Sequence, residues 1–348
     1  MVRRALLLVA SLLAVAGCGR GSDTREGVWA AGSSTVFPFA IRVAENFQRV
    51  TDAAPPRVES LGTGGGIKAF CAGVGPNHPD IATASRQMKA SEFDACAKNG
   101  VTEIVELKIG YDGIVVATAR NGASLDLRIE DLYLGLAKQT PRPNGQGLVA
   151  NPHLRWDEVN PALPAQRIQV YGPPPTSGTR DAFLELGMTA GAEKLPQLAA
   201  LSEADEDRFE AVAHTLREDN AWIDAGENDN AILQTLTRTP GSLGVFGFSF
   251  LEQNLDVVKP ETIGGVPPSA EAIADGSYPL ARSLYIYVKK QHIGVVPGLR
   301  DFLREFMSEG AAGRGGYLQD RGLVPLPPDE LAEQRAIASN LTVMSRPE

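Results

Sequence analysis

Two short runs of serine, threonine and glycine carry the most distinctive chemistry in this sequence. They are Gly32-Ser33-Ser34-Thr35 and Thr176-Ser177-Gly178-Thr179, and each leads into an amphipathic helical pattern. A helix start offers unpaired backbone N–H groups and the positive end of the helix dipole, to which hydroxyls add further donors. Each run alone also fits an ordinary helix N-cap. Together the runs predict two helix starts that close on one small anion.

Two further turns follow predicted strands and add other donors. They are Gly62-Thr63-Gly64-Gly65-Gly66 and Ser85-Arg86. The glycine run lacks the spacing of a P-loop or a dinucleotide fingerprint, and it fits either close backbone approach to a ligand or plain loop flexibility. Arg86 fits either an anion-binding guanidinium or a surface arginine. Ligands of open α/β sheets collect at the carboxyl ends of strands, so we expect these turns to converge on a tetrahedral oxyanion.

The elements that must position these turns alternate between strand-like and helical patterns, which indicates an α/β protein. Strands are predicted at 28–31, 58–61, 80–84, 103–109, 114–119, 168–171, 244–250 and 283–289. Helices are predicted at 36–50, 67–72, 91–98, 129–136, 180–186, 229–237 and 299–307, with an acidic helical region at 203–217. A turn predicted at 110–113 separates the strands 103–109 and 114–119, and a loop predicted at 140–152 lies between the helix 129–136 and the strand 168–171.

Two of these stretches, 103–119 and 283–289, are placed to connect one half of the chain with the other. The sequence therefore predicts an α/β fold with two lobes, two crossover strands and a cleft between the lobes. The first lobe comprises 28–113 and 284–348, and the second comprises 114–283.

The N-terminus has the pattern of an export signal. Arg3-Arg4 precede an apolar stretch that ends at Val15-Ala16-Gly17-Cys18 and is too short to span a bilayer. Residues 1–17 are predicted to be a lipoprotein signal peptide, with lipidation at Cys18 and a linker over 18–27; an ordinary secretory signal is the alternative. The sequence thus predicts an exported, periplasmic protein anchored by its lipid to the cell membrane or the outer membrane.

Composition narrows the function further. The chain of 348 residues has a formal net charge of −9, which argues against binding to nucleic acids or anionic membrane surfaces. Beyond Cys18 only Cys71 and Cys96 remain, and an even pair in an oxidising compartment predicts a disulfide. Two cysteines and four histidines do not reproduce zinc-ligand spacing, so no metal and no cofactor is predicted.

The spaced motifs resemble one known family, the phosphate-binding component of bacterial phosphate ABC importers. The segments that carry the resemblance are Ala31 to Thr35, Gly62 to Gly66, Asp80 to Arg86, Tyr111 to Gly113, Ser177 to Thr179 and Gly244 to Phe248. The resemblance implies a type II periplasmic-binding-protein fold, a dehydrated phosphate in the interdomain cleft, and delivery to a permease with ATPase subunits. A monomer is expected.

The resemblance also implies a set of ligand contacts. The residues that it places on the phosphate are Ser34, Thr35, the backbone of Val36, Thr63, Gly64, Ser177, Gly178 and Thr179. The chain departs from the family twice. Arg86 stands where many members have an aspartate that accepts the phosphate's proton, and Pro173 stands where many have an arginine. We therefore list Arg86 as the guanidinium of the site, and Asp112 or Asp181 as the replacement acceptor.

Three other functions remain open at this point. A binding protein for sulfate, arsenate or phosphonate would use the same donors, and a surface phosphate sensor would need no transporter. A phosphoester hydrolase is disfavoured, because the sequence has no Gly-x-Ser-x-Gly elbow and no His-Glu-x-x-His pair. A binding protein without enzymatic activity is the prediction.

Overall fold

The computed structural model describes residues 27–142, 147–175, 177–226 and 229–347. Within these ranges the strands, in chain order, are β1 (Trp29–Gly32), β2 (Arg57–Ser60), β3 (Ile81–Ala84), β4 (Ile104–Ala119), β5 (Asp126–Leu127), β6 (Gln139–Pro141), β7 (Leu148–Ala150), β8 (Val170–Gly172), β9 (Trp222–Asp224), β10 (Leu243–Gly247), β11 (Val258–Pro260), β12 (Thr262–Ile263) and β13 (Ala281–Lys289).

The α-helices in the same ranges are α1 (Phe37–Val50), α2 (Thr63–Phe70), α3 (Ala90–Lys98), α4 (Ile129–Leu136), α5 (Trp156–Val159), α6 (Gly178–Phe183), α7 (Ala190–Glu193), α8 (Pro196–Ala204), α9 (Glu206–Ala213), α10 (Asp229–Arg238), α11 (Phe248–Glu252), α12 (Ala270–Ala274), α13 (Leu299–Phe306), α14 (Glu309–Ala312) and α15 (Pro328–Asn340). A π-helical stretch, Leu184–Thr189, joins α6 to α7.

One mixed sheet connects the two halves of the molecule. Its strands follow the order β2-β1-β3-β13-β4-β10-β8-β9, and β11 adds to β4. Strands β1, β2 and β3 run parallel, as do β10, β8 and β9, whereas β13 is antiparallel to both β3 and β4. Residues Ile104 to Gly113 of β4, apart from Ile109 at a bulge, pair along β13, and Ile114 to Ala117 pair with β10. The predicted α/β class is confirmed, and β4 takes part in both groups of strands.

Buried apolar residues explain the main helices. Phe39, Val43 and Phe47 form the buried stripe of α1, as the helical spacing predicts. Phe47 meets Phe302 of α13 edge to face, with ring centroids 5.6 Å apart. Helix α13 therefore packs on α1.

The turn predicted at 110–113 is wrong, because these residues lie inside β4. Gly110 is needed for close packing: a Cβ there would lie 2.6 Å from the Leu323 side chain. Tyr111 exchanges backbone hydrogen bonds with Val324, and the ladder with β13 shifts register between Leu284 and Tyr285. A bulge and a tight contact account for the glycine, so the strand continues.

The glycine run also differs from its predicted loop. Helix α2 begins at Thr63, so Gly64 to Gly66 form its first turn, and Gly62 before it has a left-handed φ of 71°. A Cβ on Gly66 would lie 2.3 Å from the Gly32 Cα. The run therefore lets a helix pack directly against β1.

Four other predicted regions are corrected. Residues of the predicted loop 140–152 contribute to a hairpin of β6 and β7; 143–146 lie outside the described residues. The predicted strand 244–250 ends at Gly247, where α11 follows. The predicted helix 180–186 begins at Gly178 and continues through the π-helical stretch, and the region 203–217 contains the end of α8 and all of α9.

The predicted disulfide is confirmed. Cys71 at the end of α2 is bonded to Cys96 in α3, within a buried cluster that includes Phe70 and Tyr287. The predicted signal 1–17 and Cys18 lie outside the described residues. In the part of the chain that the structure describes, no helix combines the length and the apolar character needed to cross a membrane.

Candidate anion-binding site

The first hydroxyl run forms a tight turn between β1 and α1. The turn is held by backbone pairing, since Ser33 N donates to Thr83 O at 2.9 Å. The Ser33 hydroxyl accepts from Val36 N at 3.4 Å, a weak local contact of the kind that helix caps make. The contacts of Ser33 therefore stabilise the turn itself. Ser34 and Thr35, by contrast, line both cavities of the cleft.

The glycine run brings Thr63 to the same end of the sheet. The Thr63 hydroxyl lies 3.0 Å from the Ser85 hydroxyl and accepts from Ser85 N at 3.1 Å. These contacts join the start of α2 to the end of β3. Gly64 lies on another side, in a groove that Lys68 and Cys71 also line. The structure therefore groups Thr63 and Ser85, but not the Gly64 surface, with Ser34 and Thr35.

The second hydroxyl run meets the first, although the two are far apart in the sequence. A Cβ on Gly178 would lie 3.1 Å from both Ser34 O and Thr35 Cα. The Ser34 hydroxyl donates to Asp181 Oδ2 at 2.5 Å, which ties the turn to α6. Thr176 lies outside the described residues. Glycine at 178 lets the start of α6 approach the first turn this closely.

Two cavities meet at Ser34 and Thr35. The larger has a volume of about 540 Å³ and the smaller of about 190 Å³. Polar residues that line the larger one include Ser177, Thr179, Asp112, Asp229, Ser249, Gln253, Gln319, Asp320 and Arg321. The smaller one is lined by residues that include Ser33, Thr63, Ser85, Asp181, Glu185, Glu210 and His214.

Arg86 does not join this group. Its guanidinium is paired with Glu92 through contacts of 2.8 and 2.9 Å, and it donates to Gln87 O at 3.0 Å. Glu92 lies in the first turn of α3, where its carboxylate accepts from Lys89 N at 2.8 Å. Arg86 lines neither of the two cavities, so in this structure the expected guanidinium is engaged elsewhere.

A different arginine, Arg282, contacts three residues that line these cavities, and the sequence analysis missed it. It pairs in register with Asp112 across β13 and β4. Its Nη2 donates to Thr35 Oγ1 at 2.7 Å, its Nε lies 3.6 Å from Asp112 Oδ2, and its Nη1 contacts Glu185. The available signal was its position in the chain, since Arg282 is two residues from Leu280 and two from Leu284, the spacing of one face of a strand, and both leucines are buried.

Asp112 has the electrostatics of a buried carboxyl beside a cation. Burial raises its pKa from the ordinary value, and the neighbouring Arg282 acts in the opposite direction. Among the residues that the structure describes, its Oδ2 has no hydrogen-bond partner. Asp181, the other carboxylate considered as an acceptor, is engaged with Ser34. Asp181 Oδ2 already accepts from Ser34, whereas Asp112 Oδ2 is open to accept a hydrogen bond.

Arg180, just after the second run, makes structural contacts. It donates to Pro173 O at 3.1 Å and to Asp224 Oδ1 at 3.0 Å, and its guanidinium stacks over the Trp222 ring at 4.4 Å. Desolvation lowers the pKa of Arg180, while Asp224 acts in the opposite direction. These contacts brace the loop that presents Ser177.

The sheet and the cleft define a solute-binding protein of the periplasmic-binding class. Residues 19–310 match the model of the PBP superfamily domain, and the chain belongs to this family. The chain is 31% identical to the protein SphX of Synechocystis sp. PCC 6803 over 91% of its length and 83% of the relative's.

Two other comparisons agree. The phosphate-binding protein PstS of Staphylococcus saprophyticus is 28% identical over 93% of this chain and 89% of the relative. A structure described as a possible phosphate binding protein from Planctomyces limnophilus matches with a TM-score of 0.69 and 24% identity, covering 90% of this chain and 98% of that one. At that identity the structural match supports the fold.

Proposed function

We propose that this protein binds inorganic phosphate in the cleft and delivers it to an ABC importer. The observation that carries the proposal is the contact between the two hydroxyl runs, where Gly178 packs on Ser34 and Thr35. Helix starts and hydroxyls that meet at one point form an anion site without needing a positive field from the whole protein. The phosphate-binding relative described above supports phosphate as the anion.

The proposed ligand atoms come from both sides of the cleft. They are the hydroxyls of Ser34, Thr35, Thr63, Ser177 and Thr179 and the backbone N–H groups of Val36, Gly64 and Gly178. Many short donors suit a dehydrated tetrahedral oxyanion. Gly64 enters as a backbone donor from the first turn of α2, and Arg86 would have to release Glu92 to join them.

The proposed mechanism is closure of two lobes, 28–113 with 284–348 and 114–283. Strands β4 and β13 would act as the hinge, since β4 pairs with strands of both groups. Phosphate stabilises the closed form to the extent that it binds that form more tightly than the open one. Binding, with no chemical step, is the proposed activity.

The proposed setting is the outside of the cell membrane. The apolar stretch that ends at Cys18 supports export and a lipid anchor, and the disulfide between Cys71 and Cys96 suits an oxidising compartment. A monomer anchored in this way would hand phosphate to a permease and ATPase complex.

Isothermal titration tests the proposal. Protein stripped of bound ligand by unfolding and refolding is titrated with phosphate, and we expect saturable binding of one ion per chain. Thr179→Ala is expected to weaken binding about tenfold, in line with one lost hydrogen bond to an anion. The control is Thr215→Ala, since the Thr215 hydroxyl only contacts Ala211 O on an exposed helix end.

Two results would contradict the proposal. Absence of both binding heat and a thermal shift with phosphate would exclude phosphate as the ligand. Equal competition by sulfate would widen the ligand to oxyanions in general.

A further inference from the structure

Two buried polar atoms that have no hydrogen-bond partner in the described part of the chain face each other beside the cleft. They are Asp112 Oδ2 and Arg282 Nε, which lie 3.6 Å apart. Buried polar atoms are nearly always paired in folded proteins, so each such atom calls for an explanation. One lone acceptor beside one lone donor forms a site for a group that both gives and accepts a hydrogen bond.

The partners of Arg282 line the two cavities of the cleft. Thr35, which accepts from its Nη2, lines both cavities; Asp112 lines the larger one and Glu185 the smaller one. Of these three partners, Thr35 is a residue that the proposed function places on the anion. Glu185 already sets a carboxylate against Nη1, which shows that this edge accepts an anionic oxygen.

The burial of Arg282 separates it from the other arginines near the cleft. Only 8% of its side chain is exposed, whereas Arg86 is 37% exposed and bound to Glu92. Arg321 lines the larger cavity but is exposed. A desolvated guanidinium binds an oxyanion more strongly than one at the solvent-facing rim.

We propose that Arg282 supplies the guanidinium of the phosphate site and that Asp112 accepts the phosphate's proton. This inference rests on the proposed function and goes beyond it by assigning charge and selectivity to the two crossing strands. Monohydrogen phosphate offers oxygens to Arg282 Nε and a P–OH to Asp112 Oδ2. Sulfate has no proton at neutral pH and would leave Asp112 without a donor.

The first test compares arginine variants in phosphate titrations. Arg282→Gln is expected to weaken phosphate binding 100-fold or more, and Arg282→Lys about tenfold, since charge is retained but the fork is lost. Arg304→Gln, on an exposed face of α13, is the control. Arg86→Gln and Arg321→Gln test the competing arginines; a loss confined to either of them, with Arg282→Gln unaffected, overturns the proposal.

The second test uses selectivity, which a purely structural role would not alter. Asp112→Asn is expected to weaken phosphate binding at least tenfold while sulfate binding stays equal or becomes tighter. Equal losses for both anions would overturn the role of Asp112. This comparison does not need the Arg282→Gln variant, so it remains a test even when that variant fails to fold. If the wild type does not bind phosphate, the proposed function fails. If the wild type binds and Arg282→Gln binds equally well, only this inference fails.

Discussion

Arg180 and Arg282 are both almost buried, yet they are held by different parts of the molecule. The partners of Arg180 are Pro173, Trp222 and Asp224, and all come from nearby strands and loops. Those of Arg282 are Thr35, Asp112 and Glu185, which come from three distant parts of the chain. The contacts of Arg180 therefore stabilise one of the two proposed lobes. The contact of Arg282 with Thr35 joins the two proposed lobes and depends on how they meet, whereas its pairing with Asp112 is fixed by the register of β13 on β4.

This difference leads to a general expectation for variants. Substitutions that remove contacts within one lobe should alter the free energy of unfolding and leave phosphate affinity nearly constant. Substitutions that remove contacts across the cleft should alter phosphate affinity and leave the free energy of unfolding nearly constant.

The largest expected effect within a lobe is loss of the disulfide. It closes a loop with a sequence separation of 25, so Cys71→Ala with Cys96→Ala should lower the free energy of unfolding by about 3.5 kcal/mol. Urea unfolding measures this change, and titration should give wild-type phosphate affinity. Wild type treated with a reductant is the matched control. A phosphate affinity that falls together with the free energy of unfolding would contradict the distinction between contacts within a lobe and contacts across the cleft.

Glu261 should make stability depend on pH. It is 1% exposed, and burial raises its pKa to about 7, although a hydrogen bond from Leu125 N acts in the opposite direction. Since the folded pKa lies above the unfolded one, ionisation opposes folding. This contribution is absent below about pH 4, grows towards pH 7 and is complete above it, at about 3 kcal/mol.

Glu261→Gln removes this penalty. Its unfolding midpoint should exceed that of wild type at pH 8 and match it near pH 4. Glu203→Gln, at an exposed position, should show no such difference. A constant difference between Glu261→Gln and wild type over this range would exclude titration of Glu261 as the cause.

Arg180→Gln should cost about 2 kcal/mol of unfolding free energy, because it removes the contacts with Pro173 O and Asp224 and the stacking on Trp222. Half-exposed Asp224 limits the loss, since water can solvate it. Thermal unfolding beside Arg304→Gln measures the cost. Phosphate affinity should change less than about threefold; a loss as large as that expected for Arg282→Gln would mean that the two arginines do not differ in kind.

Gly178→Ala should have the smallest effect, and it should fall on binding. The added Cβ would lie 3.1 Å from Thr35 Cα, which only a small displacement can relieve. Phosphate affinity should fall about tenfold with an unchanged unfolding midpoint. Gly310→Ala is the control, because a Cβ there meets only Ser308 Oγ at 4.0 Å. A drop in stability without a loss of affinity would place Gly178 within one lobe.

Local patterns predicted most of the fold. The apolar spacing of α1 and the boundaries of α4 follow from helical periodicity, and α4 matches its prediction at both ends. The Cys71–Cys96 disulfide was predicted because these two cysteines form an even pair in a protein expected in an oxidising compartment. The two hydroxyl runs were also visible, because helix starts have a short-range signature.

The remaining features depend on contacts between distant residues. Glycines at 66 and 110 indicate loops when only neighbours are considered, but each one makes room for a specific contact elsewhere. The pairing of Arg282 with Asp112 follows from the register of β13 on β4, which no local pattern reports. The Arg86 pair with Glu92 likewise depends on where α3 begins.

The register of β13 on β4 has a kinetic consequence. Because Arg282 and Asp112 are neighbours on one ladder, their spacing does not depend on whether the cleft is open. An incoming anion would therefore meet the charged pair first and the hydroxyls of Ser177 and Thr179 afterwards. Association rates should respond to salt and to Arg282, whereas residence time should be governed by the hydroxyls that arrive last.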